Sequence, residues 1–389
     1  MKRITAEWLT RRQTQALLNA LSAAGHQAFA VGGCVRNTLL GRSVSDIDVA
    51  TSAHPDEVVS IAEARGFHAV PTGYDHGTIT VVIEGVPYEV TTFRTDIETD
   101  GRRAIVRFTD DVEADARRRD FTMNALYCDA AGHVLDPVSG YDDLVARRIR
   151  FVDDPDTRIQ EDYLRSLRFF RFHAQFGHPG EGPDPDALDA ISRNLDGLES
   201  LSAERVGGEM IKLLAAVDPA PALAAMAATG ALGRLIPGAD ARFVAPLVHL
   251  EDLMGLAPEP VRRLVSMGGR MVEDRLRLSR QMSRRYAKLL DGAGSLAGPG
   301  ELAWRYGDEV ARSALALRHA LAGSPLPTGW SAEVSKGLAA KLPIAAGDLM
   351  PEFEGPQLGA ALERATRAWI DSGFLWDKAA LVAAARKQG

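Results

Sequence analysis

The sequence has few cysteines and no long apolar runs. Its 389 residues include two cysteines, Cys34 and Cys128, and neither lies in a CxxC pair or beside a histidine cluster. We therefore expect reduced thiols rather than a disulfide framework or a zinc site. No run approaches the roughly 18 apolar residues that a membrane helix needs, and the opening segment MKRITAEWLTRR lacks the apolar core of a signal peptide. These absences predict a cytoplasmic protein without a membrane partner.

Basic residues are not in excess either. The chain has 45 Lys and Arg against 52 Asp and Glu, a formal net charge of -7. This balance argues against a protein that coats nucleic acid indiscriminately, and DNA is not expected as a partner. The charge is uneven, however, because residues 261–289 hold nine Arg and Lys against two acids. That segment suits either contacts with RNA phosphates or an ordinary solvated helical surface.

The period of the apolar residues changes along the chain. The first 150 residues mix strand and helix patterns, with one hairpin predicted across residues 77–94 and another across 124–136. The polar segment 95–117 has little periodicity, which predicts a mobile loop or a long excursion from the sheet. From about Val152 onwards helical spacing predominates. The pattern predicts an α+β head followed by an all-helical remainder.

Two aspartates stand one residue apart in the segment SDIDVAT, residues 45–51. In a strand, Asp46 and Asp48 would share one face, about 7 Å apart along the backbone, while Ile47 and Val49 take the other. Two carboxylates so placed can bind a common cation, and a pair of Mg²⁺ ions is used in nucleotidyl transfer. Two solvent-facing acids at a strand edge are the alternative.

Glycines and an arginine precede this segment, in VGGCVRN. Gly32 and Gly33 lie between a predicted strand and a helix, where backbone N–H groups can approach a phosphate closely. Arg36 adds a positive charge within reach of a triphosphate. A tight turn without a ligand would explain the two glycines as well. Beside the aspartates, however, the combination favours a pocket for phosphate and metal.

Two further segments carry candidate residues. Glu89 lies among β-forming residues in YEVTTFR, and it would join the acidic pair or act as a base if the two strands were neighbours. In RRRDFTMNAL, Arg119 suits phosphate oxygens and Asp120 suits ribose hydroxyls. A solvated face and a basic patch before a strand are the respective alternatives.

The segment IQEDYLRSLRFFRF, residues 159–172, has helical spacing. Asp162 and Arg165 form either a surface ion pair or a base-recognition pair. A carboxylate accepts from the amino group of cytosine or adenine, and a guanidinium donates to the neighbouring ring acceptor. Uracil and guanine present a carbonyl where the carboxylate needs a donor. The pair would therefore favour C and A, and Arg168 and Arg171 continue the same row.

These segments together resemble the class II tRNA nucleotidyltransferase and poly(A) polymerase family, most closely the CCA-adding enzymes. The matching pieces extend from residue 31 to about 212 and add HGTITV, DPVSGYDDL and SAERVGGEM to the motifs above. The resemblance implies a polymerase-beta-like head with a mixed sheet. Helical neck, body and tail domains would follow. The implied boundaries are 1–150 for the head, 151–215 for the neck, 216–325 for the body and 326–389 for a tRNA-binding tail.

The resemblance also implies roles for individual residues. Asp46 and Asp48 would bind Mg²⁺, with Glu89 as third acid. The residues that would hold CTP or ATP are Gly33 and Arg36 at its phosphates, Arg119, Asp120 and Asn124 at its ribose and triphosphate, and Asp162, Arg165, Arg168 and Arg171 at or near its base. The implied reaction is attack by the tRNA 3′-hydroxyl on the α-phosphate of CTP, twice, and then of ATP.

One position departs from the family pattern, because Asn37 stands where an aspartate is usual. No HD dipeptide occurs in the chain, so an appended phosphohydrolase domain is not expected. A poly(A) polymerase and an enzyme that adds only CC or only A remain alternatives. A non-catalytic RNA-binding module and a small-molecule nucleotidyltransferase are disfavoured, by the intact acids and by the helical half respectively.

Overall fold

The computed structural model describes residues 2–100 and 103–387, including all side chains except those of 96–100 and 103–106. The chain divides into two compact units, Met1–Pro237 and Gly238–Gly389. Each unit has a hydrophobic core, which contains Phe93 and Tyr127 in the first and Leu349 and Trp369 in the second.

A seven-stranded mixed sheet forms the centre of the first unit, in the spatial order β3-β4-β5-β2-β1-β8-β9. Strands β2 and β5 are parallel, and the other neighbours are antiparallel. A separate hairpin consists of β6 and β7. The strands are β1 (Ala28–Val31), β2 (Asp48–Thr51), β3 (His68–Gly73), β4 (Thr78–Ile83), β5 (Val86–Thr92), β6 (Arg94–Asp100), β7 (Arg103–Phe108), β8 (Tyr127–Cys128) and β9 (Val134–Leu135).

Six helices accompany the strands in this region: α1 (Glu7–Thr10), α2 (Arg12–Ala23), α3 (Gly33–Leu39), α4 (Pro55–Ala64), α5 (Val112–Arg117) and α6 (Gly140–Val145). Local sequence explains their starting points. Helix α4 has Pro55 at its first position, and the Glu57 carboxylate accepts from the His54 N–H at 2.8 Å. Helix α5 starts where Asp111 accepts from the N–H of Glu113 at 2.8 Å.

The rest of the first unit is helical. Its helices are α7 (Pro155–Glu161), α8 (Leu164–Phe176), α9 (Pro185–Arg193), α10 (Ala203–Leu214), α11 (Ala220–Ala228) and α12 (Ala231–Leu235). Helix α8 buries Phe169 and Phe172, which contact the ring of Phe121, so the aromatic side chains join the helix to the segment before β8. Arginines alternate with these aromatic residues along α8.

The second unit contains helices α13 (Val244–Leu253), α14 (Pro260–Met267), α15 (Val272–Arg275), α16 (Arg280–Gly294), α17 (Pro299–Tyr306), α18 (Asp308–Ala322), α19 (Trp330–Ala339), α20 (Gly355–Asp371) and α21 (Lys378–Arg386). Helices α17 and α19 pack closely, since a Cβ at Gly337 would lie 2.0 Å from the carbonyl oxygen of Gly300. A buried ion cluster lies at α14, where Arg262 and Arg263 both donate to the Glu251 carboxylate.

The predicted α+β head and helical remainder are confirmed, as are both hairpins. One expectation is wrong, and for another segment the structure shows which of two predicted alternatives holds. Asp46 precedes β2, which begins at Asp48, although Ile47 and Val49 are buried as the alternation requires. Segment 95–117 contains β6, β7 and α5, so it is an excursion from the sheet but not an unstructured loop; residues 101 and 102 lie outside the described residues. Within the described part of the chain, no helix is both long and apolar enough to span a membrane.

Candidate active site

The acidic residues meet where β2 and β5 run side by side. Asp48 lies opposite Glu89 in the parallel register, and Asp46 lies two residues before Asp48. Burial raises the pKa of Asp48, and the charges of Glu89 and Asp46 raise it further, whereas Arg119 opposes them. The sequence could not establish that these strands are neighbours. Since they are, the three carboxylates form one negatively charged group.

This acidic group fits a divalent cation. Mutual repulsion disfavours the ionised form of Asp48, and a bound cation would relieve it. Carboxylate oxygens are the ligands that Mg²⁺ and similar hard cations prefer. Among the described residues, no group of three or more His, Cys, Asp or Glu side chains is close enough to hold a metal ion by itself. A cation held by Asp46 and Asp48 would therefore need further oxygens from substrate or water.

The glycine-rich turn joins β1 to α3. Gly32 has φ 71° and ψ -119°, a conformation that side-chain-bearing residues rarely adopt. Its backbone passes Arg119, since a Cβ at Gly32 would lie 3.6 Å from Nη1 of that arginine. Gly33 begins α3, and a Cβ there would lie 4.0 Å from Nη2 of Arg36. The turn thus brings a helix N-terminus and two arginines together, as a phosphate-binding site requires.

A hydrogen-bonded chain connects Arg36 with α8. Nη1 of Arg36 donates to Oδ1 of Asn124 at 2.6 Å, and Nδ2 of Asn124 donates to Oδ1 of Asp120 at 2.9 Å. Asp120 accepts from Nε of Arg168 at 2.7 Å and also from its Nη2. Although burial opposes ionisation of Asp120, the charge of Arg168 and these hydrogen bonds lower its pKa. Asp120 therefore binds protein groups closely, so the structure does not show it free for a ribose.

Asn37, which stands where the family usually has an aspartate, also contacts Arg36. Oδ1 of Asn37 accepts from Nε and Nη2 of Arg36 at 3.1 and 2.9 Å, and its Nδ2 donates to the Ser43 carbonyl at 3.1 Å. The amide orients Arg36 without neutralising it. Burial lowers the pKa of Arg36, and the charges of Arg171 and Arg168 lower it further against the opposing effect of Asp120.

Aromatic rings support the arginines. The guanidinium groups of Arg36, Arg168 and Arg171 lie 5.1, 5.4 and 4.5 Å from the centroid of Phe172. Arg171 is also held by Glu209, which accepts from its Nε at 2.5 Å. This cluster of cations around one buried ring is suited to a polyanion such as a triphosphate.

Arg119 is held separately. Its Nη2 donates to Asp115 at 3.0 Å and its Nε to the Tyr127 hydroxyl at 3.0 Å, while that hydroxyl donates to Asp115 at 2.7 Å. Burial alone would lower the pKa of Arg119, but the Asp115 carboxylate raises it, so the arginine stays charged. Arg119 lies next to Gly32, and its charge lowers the pKa of Asp48. A positive charge held in place therefore acts on the acidic group.

Asp162 and Arg165 are immobilised by different partners. Oδ2 of Asp162 accepts from Nη2 of Arg205 at 2.7 Å, and its Oδ1 accepts from the N–H of Leu164 at 3.1 Å. Nη1 of Arg165 donates to Glu161 at 2.5 Å and to the carbonyl of residue 158 at 2.9 Å; Nη2 donates to the carbonyl of residue 118 at 3.0 Å. The two side chains do not form the surface ion pair that was one alternative.

All thirteen predicted site residues lie in the first unit, and contacts or electrostatic interactions connect most of them. Asp162 joins the network by raising the pKa of Arg168 together with Asp120. Sequence reasoning missed the residues that hold the others: Glu161, Arg205, Glu209, Asp115 and Tyr127. The one available signal was the four-residue spacing of Arg205 and Glu209 in SAERVGGEM, which places both on one helical face.

Comparisons with known proteins give a consistent result. Residues 28–150 match the family described as poly A polymerase head domain, and residues 183–243 match a probable RNA and SrmB-binding site of polymerase A. The CCA-adding enzyme of Geobacillus stearothermophilus is 35% identical over 333 residues, which cover 84% of this chain and 75% of that enzyme. The Geobacillus thermodenitrificans enzyme is 43% identical over 229 residues, 58% of this chain and 55% of the relative, so the chain spans about half of its length.

A solved structure extends the similarity over nearly the whole chain. The Bacillus stearothermophilus CCA-adding enzyme in complex with CTP has a TM-score of 0.67 and 30% sequence identity. The alignment covers 93% of each chain. The similarity therefore includes the helical second unit as well as the sheet.

Proposed function

The chain belongs to the family of CCA-adding tRNA nucleotidyltransferases, and we propose that it adds C, C and A to tRNA 3′ ends without a nucleic-acid template. CTP and ATP would be the nucleotide substrates, and each addition would release pyrophosphate. The names of the relatives support this activity over a poly(A) polymerase. The cytoplasmic location and the division into head, neck, body and tail remain parts of the proposal.

The observation that carries the proposal is the state of Asp162 and Arg165. An arginine has five N–H donors, and three of those of Arg165 are engaged with Glu161 and two carbonyl groups. Its Nε–H and one Nη2–H keep no protein acceptor within the described residues. Asp162 also retains lone pairs after binding Arg205 and the Leu164 N–H. An acceptor and a donor that are each held in place, three residues apart in the chain, suit the edges of cytosine and adenine.

The other site residues would supply phosphate binding and a cation site. We assign Arg36, Arg119, Arg168 and Arg171 to the triphosphate, with Gly32 and Gly33 providing close backbone approach. Asp120 and Asn124 position Arg168 and Arg36, and Asp120 would turn to the ribose only by giving up part of its contact with Arg168. Asp46 and Asp48 would hold divalent cations, for which we propose Mg²⁺. When bound, such ions stabilise the charge that develops on the transferred phosphate.

The nucleotidyl transfer needs no reactant besides the tRNA and the nucleoside triphosphate. The tRNA 3′-oxygen would form a bond to the α-phosphorus while the bond from that phosphorus to the β-phosphate oxygen breaks, with pyrophosphate leaving. The hydroxyl proton must pass to a base or to solvent. Glu89 lies beside Asp48 in the register and is either the third acid of the cation site or that base.

We also assign part of the second unit to tRNA binding. Of the basic residues in 261–289, Arg262 and Arg263 are buried against Glu251, and Arg285 binds Glu259 and Glu309. Arg280, Arg284 and Lys288 are exposed and have no carboxylate partner among the described residues. Spaced four residues apart on α16, they form what we call the α16 basic stripe, with a repeat of about 6 Å. Such a stripe can follow successive phosphates of an RNA strand.

The test is direct. The purified protein, Mg²⁺, labelled CTP and ATP are incubated with tRNA that ends before CC, after one C or after CC. We expect three, two and one additions respectively. A long A tail would indicate a poly(A) polymerase. Addition of C residues without a final A, or of one A to the third substrate with nothing added to the first two, would indicate a specialised enzyme. No addition to any of the three substrates would refute the proposed function.

A further inference from the structure

A cavity of about 650 Å³ lies in the first unit beside the candidate active site. It is bounded by the segment after α3, the chain just after α6, the end of α8 and the turn between α10 and α11. Asn37 and Phe176 line it, and both also contact Arg36. Two residues that line the cavity therefore also contact Arg36, one of the arginines that we assign to the triphosphate.

Two arginines at this cavity lack a counter-charge. Arg42 and Arg147 are both exposed lining residues, and neither forms an ion pair within the described residues. The Arg42 guanidinium lies 4.7 Å from the centroid of Phe176. Partial burial of the Arg42 guanidinium lowers its pKa, and the charge of Arg147 lowers it further, in agreement with both side chains lining one cavity.

The acids at the cavity are not in ion pairs with these arginines. Glu181 and Asp218 line it, but no ion pair to either carboxylate is present among the described residues. Asp218 instead accepts from the N–H of Ala220 at 2.9 Å. His173 also lines the cavity, and burial lowers its pKa, which favours the neutral ring. An anion would therefore meet two guanidinium groups.

Several other exposed arginines of the protein are paired with carboxylates. Arg12 binds Glu84 at 3.0 Å, and Arg242 binds Asp240 at 2.6 Å. Two neighbouring cations that lack such partners are favourable where an external anion binds, because a guanidinium fork matches phosphate oxygens. The exposed position of both side chains suits a phosphate on a large molecule better than a small ligand enclosed by the protein.

We propose that Arg42 and Arg147 bind a backbone phosphate of the RNA substrate at this cavity. The assignment rests on the proposed function for the identity of the RNA. The site is separate from the triphosphate-binding arginines but adjoins them through Asn37 and Phe176, so it would hold the strand whose end receives the nucleotide.

The test compares full-length Arg42→Gln/Arg147→Gln with the matched control Arg12→Gln/Arg242→Gln, which removes the same charge from exposed, paired arginines. Anisotropy gives the Kd for tRNA lacking CCA, without nucleotide, from about 50 to 200 mM salt. We expect the Kd of the first variant to rise by about five- to tenfold and its logarithmic salt slope to fall by about one. The tRNA Kd of the control variant should remain within about twofold of the wild-type value. The KM of the Arg42→Gln/Arg147→Gln variant for CTP should do so as well. Arg42→Lys/Arg147→Lys, which retains both charges, should recover most of the affinity.

Three results would overturn the assignment. A Kd and salt slope like those of wild type would exclude phosphate binding by the pair. A raised KM for CTP with unchanged tRNA affinity would place the pair in the nucleotide site. Weaker inhibition by pyrophosphate, again with unchanged tRNA affinity, would indicate a site for free phosphates. Circular dichroism and Tm must match the control. A wild-type protein that binds tRNA but adds nothing would refute the proposed function while leaving this comparison valid, and one that does not bind tRNA would refute both.

Discussion

Asp48 lies in an environment that disfavours its charged form. It is partly buried, faces Glu89 across the parallel register, and follows Asp46 by two residues. Its pKa is raised, which means that the folded state holds the proton more tightly than the unfolded state. The ionised Asp48 therefore lowers stability, and the loss develops as pH rises from the unfolded pKa, about 4, through the folded pKa.

We predict that Asp48→Asn abolishes addition but raises Tm in the absence of divalent cations. Activity should fall by about a thousandfold or more, since cation binding contributes several kcal/mol to the transition state. The Tm difference should be largest near neutral pH and shrink towards pH 4. Addition of Mg²⁺ should raise the Tm of wild type but not that of the variant.

The matched control is Asp75→Asn, which removes an exposed acid from the same unit. It should leave activity and the response to Mg²⁺ unchanged. Full activity of Asp48→Asn, or a Tm below that of wild type at neutral pH, would contradict the assignment.

Under the proposed function Arg205 would act on the base through Asp162, to which it donates a hydrogen bond, and we classify it as a positioning residue. Arg205→Leu should remove one of the two hydrogen bonds that hold Asp162 and weaken the preference for C over U by about tenfold or more, because a hydrogen bond to a charged group contributes about 1.5–3 kcal/mol. The measurement is the ratio of kcat/KM for CTP to that for UTP.

Arg205→Lys should restore part of this ratio. Arg193→Leu serves as control, since Arg193 pairs with Asp156 elsewhere on the same unit. A general loss of activity with an unchanged C-to-U ratio would show that Arg205 supports only the fold.

At the scale of elements, α16 shows how a predicted basic segment separates into different functions. The sequence shows nine cations. The structure buries some of them and pairs others, whereas those of the α16 basic stripe are exposed and have no carboxylate partner among the described residues. Charge counting could not make this distinction, because it depends on Glu251 and Glu259 from preceding segments.

We expect Arg280→Gln/Arg284→Gln/Lys288→Gln to weaken tRNA binding without changing the KM for CTP. The salt slope of the tRNA Kd should fall by about one for each phosphate that the variant no longer binds. The control, Arg234→Gln/Arg242→Gln/Arg367→Gln, removes three exposed cations that have carboxylate partners. Equal affinity in the stripe variant and the control would refute the role of α16.

Element type was predictable wherever local chemistry decides it. Pro55 and the apolar spacing after it are helix signals, and α4 begins there; the hairpin predicted across residues 77–94 is β4–β5. Strand β3 was missed because its exposed residues show no clean alternation. The β6–β7 hairpin was missed because polar residues such as Asp96 and Thr99 occupy paired positions in it, where an apolar alternation would be expected.

At the scale of the whole molecule, the site depends on contacts between distant parts of the chain. Arg36 meets Asn124 across 88 positions, and Asp120 meets Arg168 across 48. The motifs predicted which side chains take part, whereas their partners depend on tertiary packing that no local pattern records. That is why Glu161, Arg205 and Asp115 were not foreseen.

The two compact units should be distinguishable by calorimetry. Because each has a core, we expect thermal unfolding with two transitions, of which CTP with Mg²⁺ shifts one. At about 100 times its Kd, a ligand adds about 2.7 kcal/mol to the unit that binds it. Asp48→Asn should weaken that shift. A single transition that moves as a whole with CTP would contradict this expectation.

The immobilised side chains of Asp162 and Arg165 have a consequence for the accuracy of tRNA ends. Under the proposed function, the nucleotides C, C and A are selected by hydrogen bonds to the protein rather than by pairing with a nucleic acid. A substitution at Arg205 or Glu161 would then change the choice of nucleotide at each tRNA end that the enzyme completes. No complementary strand takes part in the selection, so none could oppose the change.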